Sequence, residues 1–128
     1  MSTKDNKAVV RRFATAFTDH NAAELRQVLA PDLVEGMTKA SINNPTWGDH
    51  RVEIADMMAE DDKVWALLAT SGRHIGPWHG LPATGKTWTN QVAMYCRVAN
   101  GRIVEMKLIP DDQNMARQLG AVVSVSPL

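Results

Sequence analysis

The chain has 128 residues, with 14 Lys plus Arg balanced by 14 Asp plus Glu, so its formal net charge is zero. That length suits one domain spanning residues 1–128, and the charge balance speaks against nucleic acid or an anionic membrane, which usually draw a basic excess. A lone cysteine, Cys96, excludes an internal disulfide, and no apolar run reaches membrane-spanning length, so the expected location is the cytoplasm.

The first element predicted is a helix over residues 4–18. Val9, Val10, Phe13, Ala14 and Phe17 fall on one side, while Lys7, Arg11 and Arg12 are left for solvent. His20 and Asn21 break it. Asn21 and Glu24 form a capping-box pattern that opens a second helix through Val28 and Leu29. Pro31 ends that helix, since a residue before proline disfavours helical geometry.

Residues 32–37 read as a short extended segment, and residues 39–49 as a loop punctuated by Asn43, Asn44, Pro45 and Gly48. From Arg51 the period becomes two, with Val52, Ile54, Asp56 and Met58 on one side. A turn at residues 60–62 leads into a strand over residues 63–72, and a Gly/Pro-rich loop follows. Residues 87–98 make a long strand. Asn100-Gly101 is a hairpin signal, because both positions take positive φ cheaply. Residues 102–109 pair back, Pro110 stops the strand, and Asp111 or Asp112 caps a last helix ending at Gly120. The predicted class is α+β, with a curved, mostly antiparallel sheet forming a cone and the N-terminal helices packed against it. Such a cone suits a small-molecule pocket.

Residues 80–87, GLPATGKT, fit the phosphate-loop pattern letter for letter. That motif needs a helix after the loop, whose N-terminus then faces the phosphates. Here the following residues, WTNQVAMY, read as strand, which argues against nucleotide binding. The four histidines, His20, His50, His74 and His79, show no zinc-ligand spacing, so no metal is expected. Cys96 lies mid-strand beside no nucleophile motif and reads as core. Trp47, Trp78 and Trp88 gather around the irregular segments and read as the aromatic rim of a pocket for a planar ligand. Trp65 reads as core or a subunit interface.

Two stretches resemble the SnoaL-like polyketide cyclases, whose fold is nuclear-transport-factor-two-like. SGRHIGPWHGLPATGK (residues 71–86) is similar to the family's Gly-x-His-x-Gly and Gly-x-Pro-x-Thr-Gly loop. NGRIVEMKLIPD (residues 100–111), continuing to RQLG (residues 117–120), is similar to its Asp-Gly-Lys-Ile strand, Pro-Asp break and helix end. The resemblance implies cofactor-independent acid/base chemistry, typically aldol closure of an aromatic polyketide ring. The alternatives are hydroxylation of a quinone-type substrate and ligand binding without catalysis.

The resemblance also implies site residues. The family's Gln is retained as Gln91, while its His falls at Ala93, its Asp at Leu108 and its Asn at Glu35. The aldol acid/base pair is therefore absent. Glu35 is the substitute expected, facing a pocket shared with Gln91, Ala93, Met106 and Leu108, where a desolvated carboxyl would move a proton; its alternative is an exposed strand residue. Asp111 and His74 border the same mouth, Asp111 serving equally well as a helix cap, and His79 joins the tryptophans in substrate binding. Residues 38–50 look too short for the helix the family carries there. An open sheet with few helices to cover it predicts a homo-oligomer, a dimer first.

Overall fold

The computed structural model describes residues 2–121. Helix α1 (Thr3–Thr18) starts at a capping box in which Ser2 and Asp5 satisfy each other's backbone N–H groups. Its apolar stripe, Val9, Val10, Phe13, Ala16 and Phe17, is buried. Each fully buried aromatic or branched side chain there contributes about 1.5–3 kcal/mol. Helix α2 (Ala22–Val28) is capped as expected, with the Asn21 side chain accepting from the Glu24 N–H at 3.1 Å. The Glu24 carboxylate pairs instead with Arg12, stapling α2 to α1.

The expected extended segment at residues 32–37 is instead part of helix α3 (Pro31–Ser41). Proline at N1 starts this helix as well as closing the previous one: Ala30 before it is extended, while the fixed φ of proline suits the first turn and its missing N–H is not needed there. Leu33, Val34, Met37 and Ala40 then follow a helical period and pack against the core. Leu29 retains one bridge of a short strand, parallel to Ile103. Of the region read as too short for a helix, residues 38–50, only residues 38–41 belong to α3, and the strand after it begins at Trp47.

Strands β1 (Trp47–Glu60), β2 (Lys63–His74), β3 (Thr87–Ala99) and β4 (Arg102–Pro110) form one antiparallel, curved and unclosed sheet in chain order. Helix α4 (Asp112–Leu119) follows and closes on Gly120 in the left-handed conformation. The hairpin at Asn100 and Gly101 has positive φ at both residues, as the sequence signals. Alternation in β2 is strict: Val64, Ala66, Leu68 and Thr70 are buried, and Lys63, Trp65, Leu67 and Ala69 are exposed. In β1 the register shifts between Ile54 and Asp56. That bulge reverses the phase, so Val52, Ile54, Met57 and Ala59 pack on the core while Asp56 and Met58 turn outward.

The core lies between the concave face and the helices. Leu25, Val28 and Leu29 meet Val64, Met94, Cys96 and Ile103, all without exposure. Thr18 ties α1 to the free edge of β1, its Oγ1 donating to the Val52 carbonyl at 2.8 Å and accepting from the Val52 N–H at 2.9 Å. Where β4 has ended, α4 covers the edge of β3. The Gln118 side-chain amide donates to the Thr89 carbonyl and accepts from the Thr89 N–H, as a neighbouring strand would. Among the described residues no helix is long and apolar enough to cross a membrane.

Candidate functional site

One end of the concave face is aromatic. Trp47, the first residue of β1, pairs with His74, the last of β2, and Trp88 pairs with Gly72. Adjacent partners share a face, so the three rings converge. The Trp47 centroid lies 5.0 Å from that of Trp88, 5.5 Å from His74 and 6.0 Å from Trp78. Gly72 makes room for this packing, since a Cβ there would sit 2.8 Å from the Trp88 ring. Met115 and Leu119 of α4 close the cluster from behind. Trp88 is buried and Trp47 and Trp78 are half-buried, so the latter two keep free aromatic surface.

The phosphate-loop look-alike wraps His74. The Thr84 N–H donates to His74 Nδ1 at 3.2 Å, the Gly85 N–H to the His74 carbonyl at 2.9 Å, and the His74 N–H to the Lys86 carbonyl at 2.8 Å. An amide N–H only donates, so Nδ1 carries the lone pair and Nε2 the proton. Nε2 is buried and has no hydrogen-bond partner among the described residues. Lys86, the residue that would meet a phosphate, reaches the C-terminal end of α4: its Nζ is 3.9 Å from where a Gly120 Cβ would stand. A cation is favoured at that carbonyl-rich terminus.

His50 is the candidate that sequence reading passed over. Its ring packs edge-on against Phe17 at 5.0 Å and Trp88 at 5.7 Å, joining the aromatic end to the main core. Nδ1 lies 3.3 Å from the Ala40 carbonyl, which can only accept, so Nδ1 carries the proton and Nε2 the lone pair. Burial pushes the pKa of this imidazole down. The Ala40 hydrogen bond opposes that shift and the nearby His20 adds to it. With Nδ1 committed to the Ala40 carbonyl, Nε2 is the nitrogen of this half-buried imidazole that is left to take a proton.

The other expected site residues divide. Met106 and Leu108 stand on the concave face, opposite Cys96 and Met94. Glu35 does not: it is an exposed residue of α3, because the segment that carries it is helix rather than strand. Gln91 and Ala93 point to the convex face, since the buried residues of β3 are Trp88, Asn90, Met94, Cys96 and Val98. The shared pocket of Glu35, Gln91 and Ala93 with Met106 and Leu108 is therefore not formed. The concave counterpart is Asn90, paired with Thr70. Even-numbered apolar residues through β3 carry that signal in the sequence. Asp111 is exposed and caps α4, its Oδ1 accepting from the Asn114 N–H at 3.0 Å. His79 is exposed, its ring edge-on to Trp78 at 4.7 Å. Cys96 is core, its thiol pKa pushed up by burial to about 12.

A recess of about 920 Å³ lies elsewhere, along α1 and across β1 to β3. It is an open groove whose ionisable groups, Arg11, Asp19, Arg51 and Glu53, are exposed, and it contains no histidine. Acid/base chemistry needs a desolvated group of suitable pKa, so the aromatic and histidine end is the better candidate. Among the described residues, no three of His, Cys, Asp and Glu gather closely enough to hold a metal ion.

Known proteins place the chain. Over 63 residues it is 36% identical to the aklanonic acid methyl ester cyclase DnrD of Streptomyces peucetius, a match covering 48% of this chain and 43% of that protein. Over 69 residues it is 30% identical to the nogalonic acid methyl ester cyclase of Streptomyces nogalater, covering 52% of each. The chain thus spans about half the length of the curated relatives it matches. In fold it is similar to TsrD from Streptomyces laurentii, with a TM-score of 0.82 at 24% identity, covering 95% of this chain and 99% of that one. It is also similar to a SnoaL-like polyketide cyclase from Agrobacterium tumefaciens, with a TM-score of 0.80 at 15% identity, covering 94% and 100%. The family model for SnoaL-like polyketide cyclase matches residues 1–119, and the chain belongs to that family.

Proposed function

We propose that the protein is an enzyme that moves a proton on an aromatic, polyketide-like molecule, in cyclase- or isomerase-type chemistry, at the aromatic end of the concave face. The observation that carries this reading is His50, half-buried with Nδ1 bound to Ala40 and its ring packed edge-on against Phe17 and against Trp88, which in turn meets the half-buried Trp47. Deprotonating a carbon beside a carbonyl needs a positioned base, and His50 supplies one where the family's aldol residues are replaced. The free faces of Trp47 and Trp78 suit a planar ring system. The relatives named as cyclases of polyketide methyl esters support this substrate class.

The test is a screen of aromatic polyketides, following substrate loss and product mass, with tryptophan fluorescence reporting binding. Turnover without an added cofactor that falls about 10²-fold in His50→Gln is expected. Quenching of the tryptophans without product would convert the reading to a binding protein. Full turnover in His50→Gln would remove His50 as the base.

The protein acts as a homodimer through its convex face. Met58, Trp65, Leu67 and Ile109 stand there 67%, 45%, 37% and 58% exposed, and the Trp65 ring lies tilted against Tyr95 at 5.1 Å. An apolar sheet face of this kind is a usual place for self-association. Sedimentation equilibrium should give a dimer that Trp65→Glu dissociates, and a monomer at micromolar concentration would defeat the assignment.

A further inference from the structure

We infer that the convex face carries a second binding site for a small oxyanion, a carboxylate or a phosphate group, in a recess whose lining also includes Trp88 of the aromatic end. A recess of about 390 Å³ opens there between Arg51 and Arg73. Register sets its floor. Arg51 pairs with Ser71 and Ser71 with Thr89, and the next outward row pairs Arg73 with Thr87. Two guanidinium groups therefore flank three hydroxyl groups on one patch of sheet. Among the described residues Arg73 makes no ion pair, and the three hydroxyls make no hydrogen bond. Thr89 spends only its backbone groups, on the Gln118 amide.

The bulge in β1 builds this patch. The register shifts between Gly48 and Arg51, and Asp49 within the bulge takes a left-handed conformation with φ of 50°. Bulges re-aim side chains, and Asp is among the few non-glycine residues that tolerate that conformation. Arg51 is thereby set opposite Ser71, in the same recess as Arg73. The Asp49 carboxylate reaches back to Arg51 at 3.5 Å, with both side chains largely exposed. It is a loose internal counter-ion that an incoming anion would displace. Planar guanidinium groups bind carboxylate and phosphate through paired N–H donors, and hydroxyls add donors of their own. The convex face thus divides into an apolar end around Trp65 and a cationic, hydroxyl-lined end around Arg73, with Glu53, Ala69 and Gln91 between them.

The experiment titrates the full chain with benzoate, inorganic phosphate and, as a neutral control, benzamide. Amide and Arg Nε–H resonances of Ser71, Thr89 and Arg73 are followed by NMR. Saturable shifts in the millimolar range are expected for an anion and none for benzamide. Arg73→Ala should weaken binding about tenfold or more. Asp49→Asn keeps a side chain tolerated at positive φ and removes the competing carboxylate, so it should strengthen binding several-fold. A merely structural role for the bulge would not produce that gain. Saturation by benzoate alone identifies a carboxylate ligand, and by phosphate alone a phosphoryl ligand. Shifts that stay linear, appear equally with benzamide, or keep their midpoint in Arg73→Ala would overturn the inference.

Discussion

The two ends of the concave face are built from the same strands and differ in nearly every physical respect. At one end Val64, Cys96 and Ile103 meet Leu25 and Leu29, an apolar packing without exposure. At the other, Trp47, His50, His74, Trp78 and Trp88 bring ring nitrogens into a buried to half-buried cluster, and His74 Nε2 and Trp88 Nε1 are buried with no partner among the described residues. The first arrangement is what stability alone selects. The second keeps buried donors unpaired, which costs stability, and tolerance of that cost is expected where a site must hold something else.

The contrast can be broken most forcefully at the apolar end. Leu25→Ala should lower unfolding free energy by about 2–5 kcal/mol, through lost burial and a cavity that the packed helices cannot fill. Chemical denaturation measures it. Turnover per folded molecule should stay close to the parent value. If Leu25→Ala slows turnover by the folded protein as much as a change at His50, the proposed division between a stabilising end and a working end is wrong.

At the aromatic end the order reverses. His50→Gln should cost about 10²-fold in turnover and little stability at neutral pH. Its pH dependence sharpens the point. Burial holds the folded pKa of His50 below its ordinary value of 6.5, and the base works only when unprotonated. The acidic limb of kcat/KM should therefore lie below pH 6.5. Stability follows the same sign: as pH falls below 6.5 the unfolded chain binds a proton that the folded chain resists, so folding weakens, and the loss is complete below the folded pKa. His50→Gln should remove both the limb and its share of the acid destabilisation. A kcat/KM profile unchanged in shape would separate His50 from the chemistry.

A smaller effect is expected where α4 begins. Asp111→Ala removes the cap on the Asn114 N–H and should cost about 1 kcal/mol. Since Asp111 is exposed and spent on that cap, turnover should not change. A large loss of turnover at full stability would return Asp111 to the site.

Much of the fold was legible because its signals are local. The N-cap at Asn21, the Asn100-Gly101 turn, the alternation in β2 and the Gly120 helix end each rest on a few neighbouring residues. The family resemblance was legible as well, since the residue 71–86 and residue 100–120 patterns lie in such local structures. The site was less so. Pro31 both permits a helix after it and disfavours one before it, and reading only the second property turned α3 into a strand and Glu35 into a pocket residue. In β1 the bulge after Ile54 reversed the phase without a glycine to mark it. His50 acquires its role from Ala40, Phe17 and Trp88, which adjoin it only after folding.

The least effect of all is expected from the two residues that sequence reading favoured. Gln91 is one position from Asn90, yet a strand has a period of two, so that single step carries the side chain to the opposite face of the sheet. Glu35 likewise sits on the solvent side of α3, while Leu33, Val34 and Met37 take the core side. Exposed substitutions away from caps and turns usually change stability by no more than about 0.5 kcal/mol. Glu35→Gln and Gln91→Ala should therefore leave both stability and turnover near the parent values. Asn90→Ala is the informative partner: Asn90 is 6% exposed, pairs with Thr70 on the concave face and accepts a hydrogen bond from Asn114 at 2.9 Å. Its loss should cost about 1–3 kcal/mol by leaving the Asn114 donor short of its acceptor. Equal and large effects at Gln91 and Asn90 would mean that β3 does not keep this phase in solution. A large effect at Gln91 alone would place the working face on the convex side.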